Sequence, residues 1–171
     1  MKASIAPRPL QQSEPPGKTP VMSTLSIQES LYPTLTCFGC GHANPDGFHL
    51  RSYRDGDITV ATFTPRAEHD NGFGFVNGGI ISTVLDCHTA AVALWEADHR
   101  GWKADDGAPC AFITAGFDVR FLRPTPLGPA LSLRAEPVEL SESRIVVSAE
   151  LFAEDKTRTT MLATWLRFHP R

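Results

Sequence analysis

The chain has 171 residues, enough for one domain with a substantial hydrophobic core. Its 16 basic and 19 acidic residues give a net charge of −3, which argues against a nucleic-acid footprint or a polybasic membrane patch. No N-terminal apolar run has the length of a signal sequence, and four cysteines are too few for a disulfide scaffold at this size. We therefore expect a cytoplasmic protein.

Residues 1–30 are predicted to form a disordered or loosely docked tail ahead of a folded domain over residues 31–171. Five prolines between residues 7 and 20 interrupt any periodic pattern, and most of the other residues are polar. Within this region, residues 26–32 could form a short helix that docks on the domain. We place no function in the tail.

The segment that follows contains Cys37 and Cys40, spaced as CxxC, and His42. Its glycines, proline and asparagine predict tight turns that lead into a strand starting near Phe48. A zinc site is one interpretation, but a tetrahedral site needs a fourth ligand, and no second CxxC or HxxxH follows. A redox pair would open a helix after a strand, whereas this pair opens a Gly-rich loop. We interpret the segment as a turn with semi-buried thiols, and we expect neither a metal nor a cofactor.

Residues 58–63 alternate between apolar and polar and are rich in β-branched side chains, which predicts a strand after a turn at 55–57. A Gly-rich loop over residues 65–77 then leads directly into a helix. Glycines at a helix N-terminus leave backbone N–H groups free to face an anion or a polarised oxygen.

The helix is predicted over residues 77–95, because apolar side chains recur there at helical spacing. It is apolar almost all round, which predicts a helix surrounded by protein. We expect it to be too short and too interrupted by polar groups to span a bilayer. Between Gly79 and Trp95 the only formally charged side chain is that of Asp86, and such a carboxylate costs several kcal/mol unless it is paired, hydrogen-bonded or protonated. Asp86 is therefore the leading functional candidate.

After a connection over residues 99–109, four strands are predicted at 110–122, 130–138, 145–152 and 159–168, in an antiparallel meander. In the first of them, alternation predicts that Phe117, Val119 and Phe121 face a core, while Asp118 and Arg120 face solvent. One long buried helix wrapped by five or six antiparallel strands is an α+β architecture.

Three pieces of the chain carry a resemblance to a known family. They are CFGCGHANPDGFHL at 37–50, Asn77-Gly78-Gly79 followed by Asp86 in the helix, and FDVRFLRP at 117–124. In this order and spacing they resemble the hotdog-fold acyl-CoA thioesterases of the PaaI-like group, over roughly residues 37–168. The resemblance implies a hotdog fold, hydrolysis of an acyl-CoA to a free acid and CoA, and a homodimer.

The resemblance also implies roles for four residues. Asp86 would be the general base or nucleophile, and the Gly78 backbone N–H would polarise the thioester carbonyl. Asn71 would help to place the substrate or water, and Thr114 would orient the attacking water. Three of them have a structural alternative: a carboxylate at a dimer seam for Asp86, turn geometry for Asn71 and an ordinary strand residue for Thr114.

Further substrate-binding candidates are Asn77, Gly79, Thr83, His88, Arg120 and Arg123. Asn77 stands where the family's motif has His, and since Asn carries no titratable proton it could simply cap the helix. His88 could equally be a hydrogen-bonded core histidine. Arg120 and Arg123 could meet the phosphates of coenzyme A, or could lie on a solvated strand face.

Helix geometry separates Gly78 and Asp86 by about 12 Å along the axis, so they cannot both contact one carbonyl group within a subunit. Two such helices lying antiparallel across a two-fold axis would bring them together. We therefore predict an obligate homodimer with two identical sites, alone or as a dimer of dimers.

Two other functions remain open. A hotdog enoyl-CoA hydratase or hydroxyacyl dehydratase would use Asp86 with His88, but residues at i and i+2 of a helix point about 200° apart. A non-catalytic module that binds acyl-CoA or another small ligand would keep the pocket and the dimer without turnover.

Overall fold

The computed structural model describes residues 25–169, which form a six-stranded antiparallel sheet, two α-helices and a short 3-10 helix at Ala67–His69. The helices are α1 (Ile27–Leu31) and α2 (Gly78–His99). The strands are β1 (Ser52–Asp55), β2 (Ile58–Phe63), β3 (Phe112–Phe121), β4 (Leu131–Leu140), β5 (Arg144–Ala153) and β6 (Lys156–Arg167). In space the strands follow the order β1-β2-β4-β5-β6-β3, so β3 lies at an edge although it comes mid-chain. The predicted α+β architecture is confirmed.

Helix α2 begins where predicted, because the Asn77 side chain accepts the N–H of Gly79 at 2.8 Å and caps the first turn. It continues to His99, four residues beyond the prediction, since Glu96 and Ala97 are buried and hold the last turn on the sheet. By length and mean hydropathy, 1.2 over its most apolar window, α2 could cross a membrane, so the expectation that it is too short and polar is wrong. Half of that window is buried within the fold, as in a core helix.

Most strands lie close to their predicted positions, and β2 matches its prediction residue for residue. The strand expected from Phe48 is wrong, because β1 begins only at Ser52. The reason is local. His49 has a φ of 52°, in the left-handed region, and a non-glycine residue in that conformation interrupts an extended chain.

The core lies between α2 and the inner faces of the central strands. Every second side chain of β5 is fully buried, including Ile145, Val147 and Leu151, and the inward residues of β4 and β6 join the same cluster. Burying a side chain of this size stabilises the fold by about 1.5–3 kcal/mol. The sheet thus curves around one face of the helix.

Strand β3 departs from this pattern, and the expectation that Phe117 and Phe121 face a core is wrong within a single chain, since they are 46 % and 54 % exposed. The cause is position, since β3 pairs with β6 on one side and has a free edge on the other. Val119 is partly buried and packs against the core, as expected.

The short helix expected over residues 26–32 is observed as α1, and it is docked. Ser26 caps it in a reciprocal pair with Glu29, and the Gln28 side chain donates to Ser52 Oγ at 3.1 Å. The remainder of the predicted tail, residues 1–24, lies outside the described residues.

Candidate active site

Two residues predicted from distant parts of the sequence meet at the junction of α2 and β3. Thr114 Oγ1 donates a hydrogen bond of 2.9 Å to Asp86 Oδ1. Asp86 projects from the middle of α2 and is half-buried. Thr114 precedes a register shift in the pairing of β3 with β6, between Thr114 and Gly116. Such a bulge re-aims neighbouring side chains, and here it accompanies a hydroxyl turned toward the helix.

The surroundings of Asp86 make its carboxylate suited to accept a proton. Burial raises the pKa of its carboxyl, the hydrogen bond from Thr114 lowers it, and negative charge on Cys37 raises it further, with a net rise. None of the ion pairs among residues 25–169 involves Asp86. A partly buried carboxylate held by one neutral donor keeps lone pairs with which to accept a proton.

At the N-terminus of α2, Asn77 uses its side chain to cap Gly79, so the N–H of Gly78 is not taken by this cap. The cap interpretation of Asn77 is confirmed. Gly78 lies against the ring of Phe121, and a Cβ added to Gly78 would stand 3.2 Å from that ring. The helix start and the end of β3 therefore approach as closely as glycine allows.

A cavity of about 400 Å³ opens beside this helix start. Gly78 and Phe121 line it together with Asn71 and Arg123. Asn71 Oδ1 accepts the N–H of Phe73 at 2.9 Å, which is the turn role expected of Asn in a Gly-rich loop. Arg123 donates to the Thr157 carbonyl at 2.8 Å. Three predicted site residues thus share one cavity.

The family model that describes the Thioesterase superfamily matches residues 73–160, which include α2, β3, β4, β5 and the start of β6. The chain belongs to the Thioesterase superfamily. No protein of curated function matches the sequence. The match explains why the helix motif and the strand after it could be recognised in the sequence.

Solved structures of this superfamily share the fold. A thioesterase superfamily protein from Shewanella loihica PV-4 is 29 % identical over 74 % of this chain and 97 % of its own, with a TM-score of 0.58. The PaaI protein of E. coli, from the phenylacetic acid degradation operon, is 19 % identical over 71 % of this chain and 81 % of its own, with a TM-score of 0.59. The smu.793 protein of Streptococcus mutans UA159, solved with acetyl CoA bound, is 16 % identical over 71 % and 90 %, with a TM-score of 0.57. The six-stranded sheet around α2 is therefore a hotdog fold.

Three other predicted substrate-binding residues of this thioesterase-superfamily chain have partners other than Asp86. His88 is fully buried and its Nδ1 lies 2.9 Å from Ser52 Oγ, so the interpretation as a core histidine is confirmed. Burial lowers its pKa to about 4. Arg120 is exposed beside Asp118 at 3.6 Å, and Thr83 Oγ1 donates to the Gly79 carbonyl at 2.9 Å. This placement gives His88 no path to a substrate and leaves Arg120 on a solvated face.

The structure adds two residues beside predicted site residues that sequence reasoning missed. Phe121 contacts Gly78, whereas alternation had assigned it to a core. Cys87, next to Asp86, lies against the CxxC segment, with its Sγ 3.8 Å from that of Cys37. Thiol donation from Cys40 and Cys87 holds the pKa of Cys37 well below its usual value, and raises those of the two donors. No spacing rule links a helix cysteine to a CxxC fifty residues earlier.

Proposed function

We propose that this protein hydrolyses an acyl-CoA thioester to a free acid and CoA, with Asp86 as general base or nucleophile. The observation that carries the proposal is the 2.9 Å hydrogen bond from Thr114 to Asp86. It joins a helix carboxylate, which has no ion-pair partner among residues 25–169, to a strand hydroxyl at the edge of the sheet. This is the pairing expected of a water-activating site. Superfamily membership and the acetyl CoA bound to the smu.793 protein point to the same class of substrate.

In the general-base form of the reaction, Asp86 takes a proton from a water that Thr114 orients. The water oxygen bonds to the thioester carbon, and the carbonyl oxygen becomes an oxyanion. Collapse of this intermediate breaks the carbon–sulfur bond, and the CoA thiolate takes the proton from Asp86. In the nucleophilic form, a carboxylate oxygen of Asp86 bonds to the carbon, expels the thiolate and forms an anhydride, which water then cleaves. Both routes give acid and thiol and consume one water.

The developing oxyanion needs a donor, and the N–H of Gly78 at the positive end of α2 is suited to that role. Within one chain, however, Gly78 precedes Asp86 by eight residues of helix, about 12 Å along the axis. A complete site therefore requires Gly78 of the partner subunit. The same geometry underlies the homodimer that we propose.

Strand β3 supplies the means of forming that dimer. It is a ten-residue edge strand with exposed apolar side chains. Two copies paired antiparallel about an axis near the middle of β3 would set Thr114 of one chain opposite Phe121 of the partner subunit. Within each chain Asp86 lies against Thr114 and Gly78 lies against Phe121, so the pairing brings Gly78 of the partner subunit toward Asp86. A dimer of such dimers is a further assembly that this arrangement permits.

The cavity beside Gly78 is the proposed place for part of the substrate. Asn71, Gly78 and Phe121 line it, and Arg123 at its rim offers a cation to the phosphates of CoA. The hydratase or dehydratase alternative is less well supported, because His88 is buried and bonded to Ser52. The binding-module alternative differs only in that Asp86 would do no chemistry.

The test is hydrolysis of short, medium, long and aryl acyl-CoAs, followed as release of free thiol, with wild type beside Asp86→Asn. We expect turnover on part of the panel and a fall in kcat of at least about 100-fold in the variant, with the fold and the dimer intact. Asp98→Asn, a change of the same kind further along α2, should leave kcat unchanged. Equal rates for wild type and Asp86→Asn would contradict the proposal. CoA binding without turnover would favour the binding module, and hydration of an enoyl-CoA would favour the hydratase.

A further inference from the structure

Three cysteine sulfurs meet beside the proposed active site, although they come from two separate parts of the chain. Cys37 and Cys40 lie in the cysteine loop, residues 37–41, and Cys87 lies on α2. Their Sγ atoms all lie within 4.8 Å of one another, and all three cysteines are free. From this geometry we propose that Cys37, Cys40 and Cys87 bind a thiophilic divalent cation, with Zn²⁺ as the expected ion.

The spacing of the sulfurs fits such an ion. Zinc binds thiolates at about 2.3 Å, so two thiolates on a tetrahedral zinc lie roughly 3.8 Å apart. Cys37 Sγ and Cys87 Sγ are 3.8 Å apart. The other two pairs need to close by at most about 1 Å to reach that tetrahedral spacing, which is within reach of χ1 adjustments. Three sulfur ligands select zinc over the harder magnesium and calcium.

The backbone around the cluster is shaped to allow this approach. A Cβ added to Gly39 would stand 2.3 Å from Cys87 Sγ, so only glycine permits the loop to lie against this thiol. The N–H of Gly41 donates to the Cys37 carbonyl at 2.8 Å and closes the turn between the two loop cysteines. A Cβ on Gly41 would stand 2.4 Å from the Cys37 nitrogen. Both glycines of the Cys-Phe-Gly-Cys-Gly sequence at 37–41 therefore help to bring the sulfurs together.

Backbone donors also point at the cluster. The N–H groups of Gly39 and Cys40 are within hydrogen-bonding reach of the Cys37 sulfur. Such donors stabilise negative charge on sulfur, and the same contacts tune metal-bound thiolates. Cys40 and Cys87 are buried, and Cys37 is partly exposed, which leaves an approach for the ion.

The expectation of no metal rested on a set of Cys37, Cys40 and His42 that lacked a fourth ligand. In the structure the third member of the group is not His42 but Cys87, which sequence spacing could not reveal. In the described part of the chain no fourth Cys, His, Asp or Glu atom joins the group. A water would complete the tetrahedron. Bound in this way, the ion would fasten the cysteine loop to α2 at the residue next to Asp86, and its binding free energy would add to the stability of the fold.

The experiment measures metal directly and does not depend on any hydrolytic activity. The full-length protein is purified under reducing conditions without chelator, and its zinc content is determined by elemental mass spectrometry. Cys87→Ala and Cys37→Ser are compared with Cys110→Ser, a matched control because Cys110 is a buried free cysteine outside the cluster. Circular dichroism verifies that each variant is folded.

We expect about one zinc per chain in wild type and in Cys110→Ser, and a fall of at least about 10-fold in the other two variants. Cobalt added to the zinc-free wild type should give the intense thiolate-to-metal absorption of sulfur ligation, and a chelator should lower its melting temperature. Should Cys87→Ala fail to fold, Cys37→Ser decides alone. Wild type that binds neither zinc nor cobalt while its thiols are reduced would overturn the proposal. So would equal zinc in all variants.

Discussion

Strands β5 and β3 have the same length and similar composition, yet their apolar side chains meet different surroundings. Each is ten residues long. Ile145 of β5 is 0 % exposed, whereas Ile113 of β3 is 50 % exposed. In the sheet, β5 lies between β4 and β6, while β3 pairs with β6 alone. The two strands carry similar side chains, so it is the position of each strand in the sheet that decides whether those side chains are buried.

The difference between the strands indicates a role for the exposed strand β3. The other edge strand of the sheet, β1, has only four residues and its side chains are mostly half-buried, which protects that edge. Strand β3 is long and apolar, which is typical of an association surface. It also carries Thr114, which bonds to Asp86. The long exposed edge of the sheet is thus also the edge that contributes Thr114 to the candidate catalytic pair.

The largest expected effect is a loss of stability, measured by truncating one isoleucine on each of the two strands. Ile145→Ala should lower the free energy of unfolding by about 2–5 kcal/mol, because it opens a cavity in the core. Ile113→Ala should cost less than half of that. Urea denaturation of both variants at one protein concentration measures the difference. Equal losses would show that Ile113 is buried in the assembled protein, which would place it inside the proposed β3 interface.

A charge on β3 should break the proposed dimer without unfolding the chain. We expect Phe117→Asp to weaken dimerisation at least about 100-fold, about 2.8 kcal/mol, since a two-fold interface meets the substitution twice. Hydrolysis should fall in parallel because each site would lose Gly78 of the partner subunit. Sedimentation over a dilution series measures the dissociation constant. The control is Val138→Asp, which alters an equally exposed apolar residue of β4.

In the Phe117 experiment, a dimer that persists with unchanged affinity would place the interface elsewhere. A monomer that retains full activity would instead show that the site is complete within one chain.

The smallest expected effect concerns the hydroxyl on β3. Thr114→Val should lower kcat about 10-fold, about 1.4 kcal/mol, because it removes the donor to Asp86 while keeping the shape of the side chain. Thr114→Ser should recover most of the rate, and Thr62→Val, at an exposed position of β2, should change nothing. Steady-state kinetics on the best acyl-CoA separate kcat from KM. If Thr114→Val keeps the wild-type kcat, Thr114 is only a strand residue.

Much of the fold could be predicted because local pattern and long-range packing agree. Helical spacing of apolar residues located α2, and alternation located β2 and the strands β4–β6. The resemblance to a family supplied separate roles for Asp86 and Thr114 in one site, and the structure places the two side chains in contact. The predicted strand start near Phe48 was wrong because of a single backbone angle at His49. The predicted burial of β3 side chains was wrong because strand order places β3 at an edge.

The amino-acid sequence by itself determined that one buried helix, with Asp86 set among apolar residues, would be wrapped by antiparallel strands. Periodicity and composition are local properties, and they are read directly from the order of residues. Only the tertiary structure decided that β3 lies at the edge and that Cys87 meets Cys37 and Cys40. Strand order and contacts between distant segments arise from how the whole chain packs, and no local pattern encodes them.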